Sequence, residues 1–145
     1  MAFDAGRYHN IADLRDGARR RLPKGIFEYV DRGTEDDVAV ANNRQAYQRL
    51  KFAPRVLIDV SIRSTETTLF GAAATMPVAV APTGFAGLCW HNGEIALAKA
   101  ARAAGVPFTL STLSISSLED VAEQAGGRLW FQLNMWRKRS LSQDI

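Results

Sequence analysis

Three strand–helix units that follow one another in the second half of the chain limit the possible folds more than any other feature of the sequence. In each unit, a short segment rich in apolar, β-branched or aromatic residues precedes a segment with helical character. The predicted strands are residues 77–81, 107–112 and 128–133, and the helices that follow them are residues 92–105, 117–127 and 137–145. Strands and helices that alternate in this way form parallel sheets with right-handed crossovers. The pattern therefore predicts an α/β fold.

The first of these strands, Pro77 to Ala81, is apolar throughout, with no alternation of polar and apolar residues. Strands of parallel sheets have this composition because helices cover both of their faces. We therefore expect a strand covered on both faces, which then gives way to an unusual turn of Pro82, Thr83 and Gly84.

Capping residues predict where the helices of these units begin and end. Asn92 stands before the first helix and Gly105 after it, while Ser116 or Ser117 stands before the second, which runs to the glycine pair 126–127. An Asn or Ser side chain accepts a hydrogen bond from a free N–H at a helix start, and glycine readily adopts the left-handed conformation that ends a helix. These residues set the expected helix bounds.

Residues 1–76 precede the units and are organised differently. Three short helices are predicted, over residues 10–22 with Asn10 as the cap, residues 24–32 after Pro23, and residues from a Thr34 cap to about Leu50. A strand then leads through a turn at Gly71 towards residue 77. We expect residues 1–76 to form a helical prelude with approach strands, and residues 77–145 to form the three strand–helix units.

Two architectures fit these units: an open, doubly wound sheet and a (β/α)8 barrel. The open sheet usually carries a phosphate-binding fingerprint, but the sequence has neither G-x-G-x-x-G after the first strand nor G-x-x-x-x-G-K-[ST] anywhere. In a barrel, the chemistry lies at the carboxyl ends of the strands. Those ends, at residues 81–84, 111–112 and 132–134, offer backbone and neutral side-chain hydrogen-bonding groups. They suit the orientation of a flat ligand with polar edges.

Composition and charge argue against several classes of protein. The sequence has no run of about 18 apolar residues, its first residues lack the apolar core of a signal peptide, and its one cysteine is Cys89. These features predict a cytoplasmic protein with no disulfide and no Cys/His metal site. The net charge is +3, but the basic runs at 19–21 and 137–139 are not interleaved with aromatic residues, so we expect no nucleic-acid partner.

Several separated motifs occur in a fixed order along nearly the whole chain. They are RLPKGIFEYVDRGTEDD, NRQAY, MPVAVAPTG, GEIALAKAARAAG, PFTLST and WFQL. In these motifs the chain resembles the N-terminal part of the FMN-dependent 2-hydroxy acid dehydrogenases and oxidases, which include glycolate oxidase, L-lactate dehydrogenase and mandelate dehydrogenase. The resemblance implies the N-terminal portion of a (β/α)8 TIM barrel preceded by a short helical segment. It also implies FMN as cofactor and transfer of a hydride equivalent from a lactate- or mandelate-like L-2-hydroxy acid to flavin N5.

The same resemblance implies flavin contacts at three strand ends. Residues that match Pro82, Thr83 and Gly84 line one edge of the isoalloxazine, with a backbone amide directed at N5. Proline fixes φ, and glycine lets the backbone approach a ring without an intervening Cβ. Ser111 is expected to hydrogen-bond the flavin, and Gln132 to reach its pyrimidine edge.

Substrate contacts are implied at three further positions. Tyr29 matches a tyrosine whose hydroxyl meets the substrate carboxylate. At Asn134 the family usually has a tyrosine that hydrogen-bonds the substrate, so this position departs from the pattern. Leu113 stands where glycolate oxidase has a large aromatic residue, and it leaves apolar room for a substrate larger than glycolate.

The resemblance also implies which parts of the site the chain lacks. A complete barrel takes about 250 residues, and the family's catalytic histidine, substrate-clamping arginine and lysine near flavin N1 all come later in the sequence. We therefore expect no catalytic base within these 145 residues and no activity of this chain alone. The alternative is a non-redox barrel fragment that acts as a binding or assembly partner.

For the full-length protein, the resemblance implies a small 2-hydroxy acid as substrate and a quinone, a cytochrome or oxygen as electron acceptor. It implies a homo-oligomer as well. The expected location is the cytoplasm, including peripheral attachment at the inner face of the cell membrane.

Overall fold

The structure, a computed structural model, describes residues 5–143. The chain divides into two compact units, Met1–Asp59 and Val60–Ile145. The first unit is helical, and the second contains every strand among the described residues. The expected boundary between residues 76 and 77 divides the helical prelude and its approach strands from the three strand–helix units, and it stays a prediction.

Helices make up the first unit. They are a short 3-10 helix at Ala5–Arg7 and the α-helices α1 (Ile11–Arg21), α2 (Lys24–Asp31) and α3 (Val38–Arg49). Asn10 caps α1 as predicted, because its Oδ1 accepts the N–H of Asp13 at 2.9 Å. Arg15 and Asp31 join α1 to α2 in a two-point ion pair, in which Arg15 Nη2 lies 2.7 Å from Asp31 Oδ2. The hydrogen bond from Arg15 is the main cause that lowers the pKa of Asp31.

The start of α3 corrects the sequence-based prediction. The helix begins at Val38, so the prediction of Thr34 as its cap is wrong. Glu35 and Asp37 have φ angles of 54° and 59°, which a right-handed helix cannot accommodate. The Asp37 carboxylate instead accepts the N–H of Gly33 at 2.7 Å and holds a turn ahead of the helix.

The second unit opens with a β-hairpin. Strands β1 (Thr67–Leu69) and β2 (Ala72–Ala74) pair antiparallel through a two-residue turn of Phe70 and Gly71. Both turn residues have positive φ, 45° and 77°, as a type I′ turn requires, and the predicted turn at Gly71 is confirmed. The Arg128 guanidinium donates to the carbonyls of Leu69 and Ala72 and fastens this hairpin to the start of the last strand.

Parallel pairing in the second unit confirms the α/β prediction. Strands β3 (Phe108–Ser111) and β4 (Leu129–Gln132) run parallel, with Phe108 opposite Leu129 and Ser111 opposite Gln132. Their order in the chain, with a helix between them, is that of a strand–helix–strand unit.

The segment at residues 77–81 is not the doubly covered strand that its composition predicts. It forms one parallel bridge, in which Val80 donates its N–H to the carbonyl of Pro107 at 2.8 Å and accepts from Thr109 at 3.0 Å. Val78 is 50% exposed, and its N–H bonds back to the carbonyl of Met76 in a local turn. Pro77 has no N–H for a ladder, and within residues 5–143 no strand pairs with the other edge of this segment.

The core of the second unit lies between its helices and its parallel strands. Helix α5 (Gly93–Ala103) packs against β3 and against α6 (Leu118–Ala125), while α4 (Ala86–Cys89) is a single turn beside α5. The buried apolar side chains form one cluster: Ile95, Ala98, Ala101, Val106, Phe108, Leu110, Val121 and Ala125. This cluster supports the strand ends from which the loops of the candidate site start.

Helix ends in the second unit follow the predicted caps with one exception. Ser117 caps α6, because its Oγ accepts the N–H of Asp120 at 3.0 Å, and Gly105 and Gly126 end their helices with positive φ. Asn92 precedes α5, but its side chain makes no capping hydrogen bond, so that part of the prediction is wrong. Its left-handed backbone, with φ of 52°, replaces the extended conformation that a side-chain cap needs.

The predicted last helix is present as α7 (Arg139–Gln143), and residues 144–145 lie outside the described residues. The strands described do not close a barrel. Among residues 5–143, no helix is long and apolar enough to cross a membrane. Within that range, no three His, Cys, Asp or Glu side chains cluster as a metal site would require.

Candidate functional site

Two loops meet at the carboxyl ends of neighbouring parallel strands. We call residues 81–85 the first loop and residues 112–117 the second loop. The N–H of Phe85 donates to the carbonyl of Leu113 at 2.9 Å and joins the two loops directly. The predicted residues 82–84 therefore lie next to the end of β3.

The first loop presents backbone donors to its surroundings. Pro82 has no N–H, whereas the N–H groups of Thr83 and Gly84 have no hydrogen-bond acceptor in the part of the chain that the structure describes. The hydroxyl of Thr83 makes one long contact, 3.5 Å, with the carbonyl of Ala81. Two adjacent N–H groups are thus able to donate to an acceptor atom of a ligand.

Gly84 lies against the second loop. A Cβ placed on Gly84 would lie 3.1 Å from Leu113 Cβ, which is tighter than most carbon contacts. The structure thus adds a reason for glycine that the sequence did not reveal. The expected contact between Gly84 and a ligand concerns its backbone and stays a prediction.

Ser111 and Gln132 face each other across the parallel strands. Ser111 is buried, with 5% of its surface exposed, and its Oγ donates to Gln132 Oε1 at 3.2 Å. The same Oγ accepts the N–H of Leu113 at 3.1 Å, so the hydroxyl hydrogen is engaged while the oxygen is able to accept one more hydrogen bond. The expected contact between Ser111 and the flavin stays a prediction. The amide nitrogen of Gln132 has no acceptor among residues 5–143. The pair therefore offers an outward-facing donor in a fixed position.

Thr112 joins the ends of β3 and β4, a role that the sequence did not indicate. Its Oγ1 donates to the carbonyl of Gln132 and accepts the N–H of Asn134 at 2.9 Å. The backbone of Asn134 is therefore fixed beside the strand ends, while its side chain is exposed. A threonine at a strand end carries no sequence signal that distinguishes this role from an ordinary surface position.

Glu94 connects the two loops and is the main residue that sequence reasoning missed. Only 1% of its surface is exposed. Its Oε1 accepts the N–H of Gly87, just after the first loop, and the N–H of Ile115 in the second loop, both at 3.1 Å. Its Oε2 accepts the hydroxyl of Ser116 at 3.3 Å. One carboxylate thus fixes two separate segments of the site.

Electrostatics keep the Glu94 carboxyl ionised. Burial alone raises its pKa, but hydrogen bonds from backbone N–H groups and from the Ser116 hydroxyl outweigh burial, and the pKa lies below its ordinary value of 4.5. One signal was present in the sequence: Glu94 shares a helix face with the apolar residues Ala98 and Ala101, four and seven positions later. A carboxylate on an apolar face must find internal donors.

The structure brings the five residues predicted to contact the flavin together, with Leu113 and the backbone of Asn134 beside them, whereas Tyr29 lies in the other unit. Ser111 and Gln132 bond to each other, and residues 82–84 adjoin the same strand ends. Tyr29 belongs to α2 of the first unit, where 65% of its surface is exposed. His91, which precedes α5, is exposed in a loop.

Comparison with known proteins places these residues in a family context. Residues 18–145 match the family model described as FMN-dependent dehydrogenase. The chain is 45% identical to (S)-mandelate dehydrogenase from Pseudomonas putida over 124 residues. The aligned region covers 86% of this chain and 32% of that protein. It is 44% identical to L-lactate dehydrogenase from Caulobacter sp. (strain K31) over 136 residues. That aligned region covers 94% of this chain and 36% of the relative.

A solved structure has the same fold over nearly the whole of this chain. A soluble mutant of the membrane-associated (S)-mandelate dehydrogenase from Pseudomonas putida superposes with a TM-score of 0.88 at 44% identity, over 93% of this chain and 38% of the other. The chain thus spans about a third of the length of the curated relatives it matches.

Proposed function

Because the chain belongs to the FMN-dependent dehydrogenase family, we propose that it forms part of an enzyme that oxidises an L-2-hydroxy acid to the 2-oxo acid. FMN, when bound, supplies the acceptor for the hydride equivalent that leaves the substrate carbon. The relatives named for (S)-mandelate and L-lactate support a substrate of this class. The chain contributes the first strands of a (β/α)8 barrel and one wall of its site.

The residues that would hold the flavin are those at the strand ends. The observation that carries the proposal is the set of unpaired donors on one edge of the sheet: the N–H groups of Thr83 and Gly84 and the amide nitrogen of Gln132. An isoalloxazine ring has acceptor atoms along its edge, and this donor set fits such a ring. Pro82 fixes the course of the first loop because its φ is restricted. Ser111 orients Gln132 through their hydrogen bond.

The substrate would lie beside the flavin, next to three residues of this chain. Leu113 is 44% exposed at the site and offers apolar contact to a side chain larger than that of glycolate. The Asn134 amide offers a shorter polar contact than the family's usual tyrosine. By the family resemblance, the Tyr29 phenol would donate to the substrate carboxylate, and 65% of the surface of Tyr29 is exposed on α2.

The remaining parts of the proposal concern the whole protein. We propose that the catalytic base and the carboxylate-clamping arginine come from the two thirds of the relatives' length that this chain does not span. The electron acceptor is a quinone, a cytochrome or oxygen, and the protein forms a homo-oligomer. The similarity to a membrane-associated relative supports peripheral attachment at the inner face of the cell membrane.

Flavin titration tests the proposal directly. The full-length protein is titrated with FMN by fluorescence quenching, and dye reduction is measured with lactate, mandelate and glycolate. We expect Gln132→Leu to raise the Kd for FMN roughly tenfold, since a donor to the ring is lost. Gln124→Leu, on the exposed face of α6, is the matched control and should leave the Kd unchanged. A protein that binds no FMN but associates with another chain would favour the assembly-partner alternative.

A further inference from the structure

We propose that Glu94 is a positioning residue: its buried carboxylate sets the distance and orientation between the first loop and the second loop, and so shapes the flavin-facing wall of the site. The geometry of the second unit is the evidence that Glu94 couples the loops. The effect of this coupling on the flavin site rests on the proposed function. Glu94 touches no predicted ligand-binding residue directly. It acts through the backbone of the two loops.

The geometry of the carboxylate carries the inference. A single oxygen, Oε1, lies 3.1 Å from the nitrogen of Gly87 and 3.1 Å from the nitrogen of Ile115. These two N–H groups belong to segments 28 positions apart in the sequence, and no other acceptor for them lies among residues 5–143. Because both converge on one atom, a shift of either segment breaks a hydrogen bond or moves the other segment. The carboxylate thus couples the two loops.

A negative charge suits this position better than a neutral acceptor. Hydrogen bonds from backbone N–H groups to an ionised carboxylate are shorter and about twice as strong as those between neutral groups. The second oxygen engages the hydroxyl of Ser116 at 3.3 Å, which fixes the plane of the carboxylate. The buried end of Glu94 is therefore fully supplied with donors, and a merely space-filling role does not require this arrangement.

The side chain also lies close to where the loops need support. Gly87 lies in α4, which begins directly after the first loop, and a Cβ placed on Gly87 would lie 3.3 Å from Glu94 Oε2. On the other side, Ile115 follows Leu113, whose carbonyl accepts the N–H of Phe85. Glu94 thus supports the arrangement in which the N–H of Phe85 donates to the carbonyl of Leu113 and joins the loops.

Three variants of the FMN-loaded full-length protein test the inference. Glu94→Ala leaves the N–H groups of Gly87 and Ile115 without an acceptor. Glu94→Gln keeps an acceptor oxygen for both N–H groups and turns an NH2 group towards Ser116, whose hydroxyl is able to accept. Val121→Ala opens a small cavity in the core, where Val121 is fully buried, and serves as the control for general loss of stability.

Hydrogen exchange and flavin binding are the two measurements, made well below the melting temperature of each variant. In Glu94→Ala we expect faster exchange in residues 81–90 and in residues 111–117 together, and a Kd for FMN raised roughly tenfold, with a shifted flavin absorbance band. Glu94→Gln should restore both readouts to within about threefold of the unmodified protein. Val121→Ala should leave the exchange of the two segments and the Kd near their original values.

The outcomes separate this inference from the proposed function. If Glu94→Ala behaves like Val121→Ala in exchange and in FMN binding, or accelerates exchange in only one segment, Glu94 does not couple the loops and the inference is overturned. If the unmodified protein binds no FMN, the proposed function is wrong. In that case the exchange of the two segments alone decides whether Glu94 couples them.

Discussion

Leu113 occupies the space that a side chain at Gly84 would need: a Cβ on Gly84 would lie 3.1 Å from Leu113 Cβ and 3.7 Å from its Cδ1. The two residues belong to loops that follow different strands, and the hydrogen bond from Phe85 to the Leu113 carbonyl keeps those loops together. Glycine at this position therefore serves the packing between loops, in addition to any close approach of the backbone to a ligand.

Gly84→Val tests the two roles of this glycine. We expect the variant to lose about 1–3 kcal/mol of unfolding free energy, as overpacking does, and to bind FMN more weakly. Urea unfolding and FMN titration measure the two effects. In a Leu113→Gly background the Cβ that causes the steric conflict is absent, so Gly84→Val should cost little further stability while FMN binding stays weak, because the valine still crowds the ring. Recovery of both would show that the glycine serves only the contact with Leu113.

In the full-length protein, Tyr29→Phe should lower turnover with 2-hydroxy acids and leave flavin content unchanged. The substitution removes the phenol that is proposed to donate to the substrate carboxylate, and a hydrogen bond to a charged partner is worth about 1.5–3 kcal/mol. Steady-state kinetics and the flavin absorbance of the purified protein measure the two quantities. Tyr47→Phe is the matched control, since Tyr47 is 79% exposed on α3 of the same unit. Equal kinetics in the two variants would remove Tyr29 from the substrate site.

In the full-length protein, Asn134→Tyr should raise the turnover of lactate or glycolate. The backbone N–H of Asn134 holds the residue to Thr112, so a new side chain is displayed from an unchanged position. A phenol that donates a hydrogen bond strengthened in the transition state is worth about 1.5–3 kcal/mol when its partner is charged. Asn134→Phe supplies the ring without the hydroxyl and is compared by kcat and KM. Slower turnover of the tyrosine variant on every substrate would show that asparagine suits this pocket.

Acid stability should depend on Glu94. Its pKa in the folded protein lies below the ordinary value of 4.5, so the carboxyl contributes stability that is present above pH 4.5 and is lost as the pH falls through the folded-state pKa. Glu94→Gln does not titrate and should flatten the dependence of unfolding free energy on pH in this acidic range. Glu119→Gln, an exposed charge in the first turn of α6, is the control. An unchanged acid slope in Glu94→Gln would contradict the pKa assignment.

The sequence by itself determined much of the local structure. Apolar periodicity and capping residues predicted α1, α5 and α6 and the parallel strands, because these signals involve residues within one or two helical turns of each other. Asn10, Ser117 and Gly105 act at the predicted helix ends. The motif order identified the family, and the residues proposed for the flavin follow from it.

Only the tertiary structure decided how these elements meet. Thr34 is a residue type that often caps helices. The positive φ angles of Glu35 and Asp37 exclude these residues from a right-handed helix, so α3 begins at Val38. The segment at residues 77–81 has the composition of a strand covered on both faces, but among the described residues it forms a single bridge, at Phe108, and Val78 is half exposed.

The bonds of Glu94 show the same limit most clearly. Ile115 lies 21 positions from Glu94, and nothing near either residue in the sequence specifies their hydrogen bond. Helix periodicity places Glu94 on the buried face of α5, but which donors it meets depends on how α5 packs against the loop after β3. Burial and long-range hydrogen bonds depend on the folded chain as a whole. Sequence periodicity relates only residues that are close in the chain, so it does not predict them.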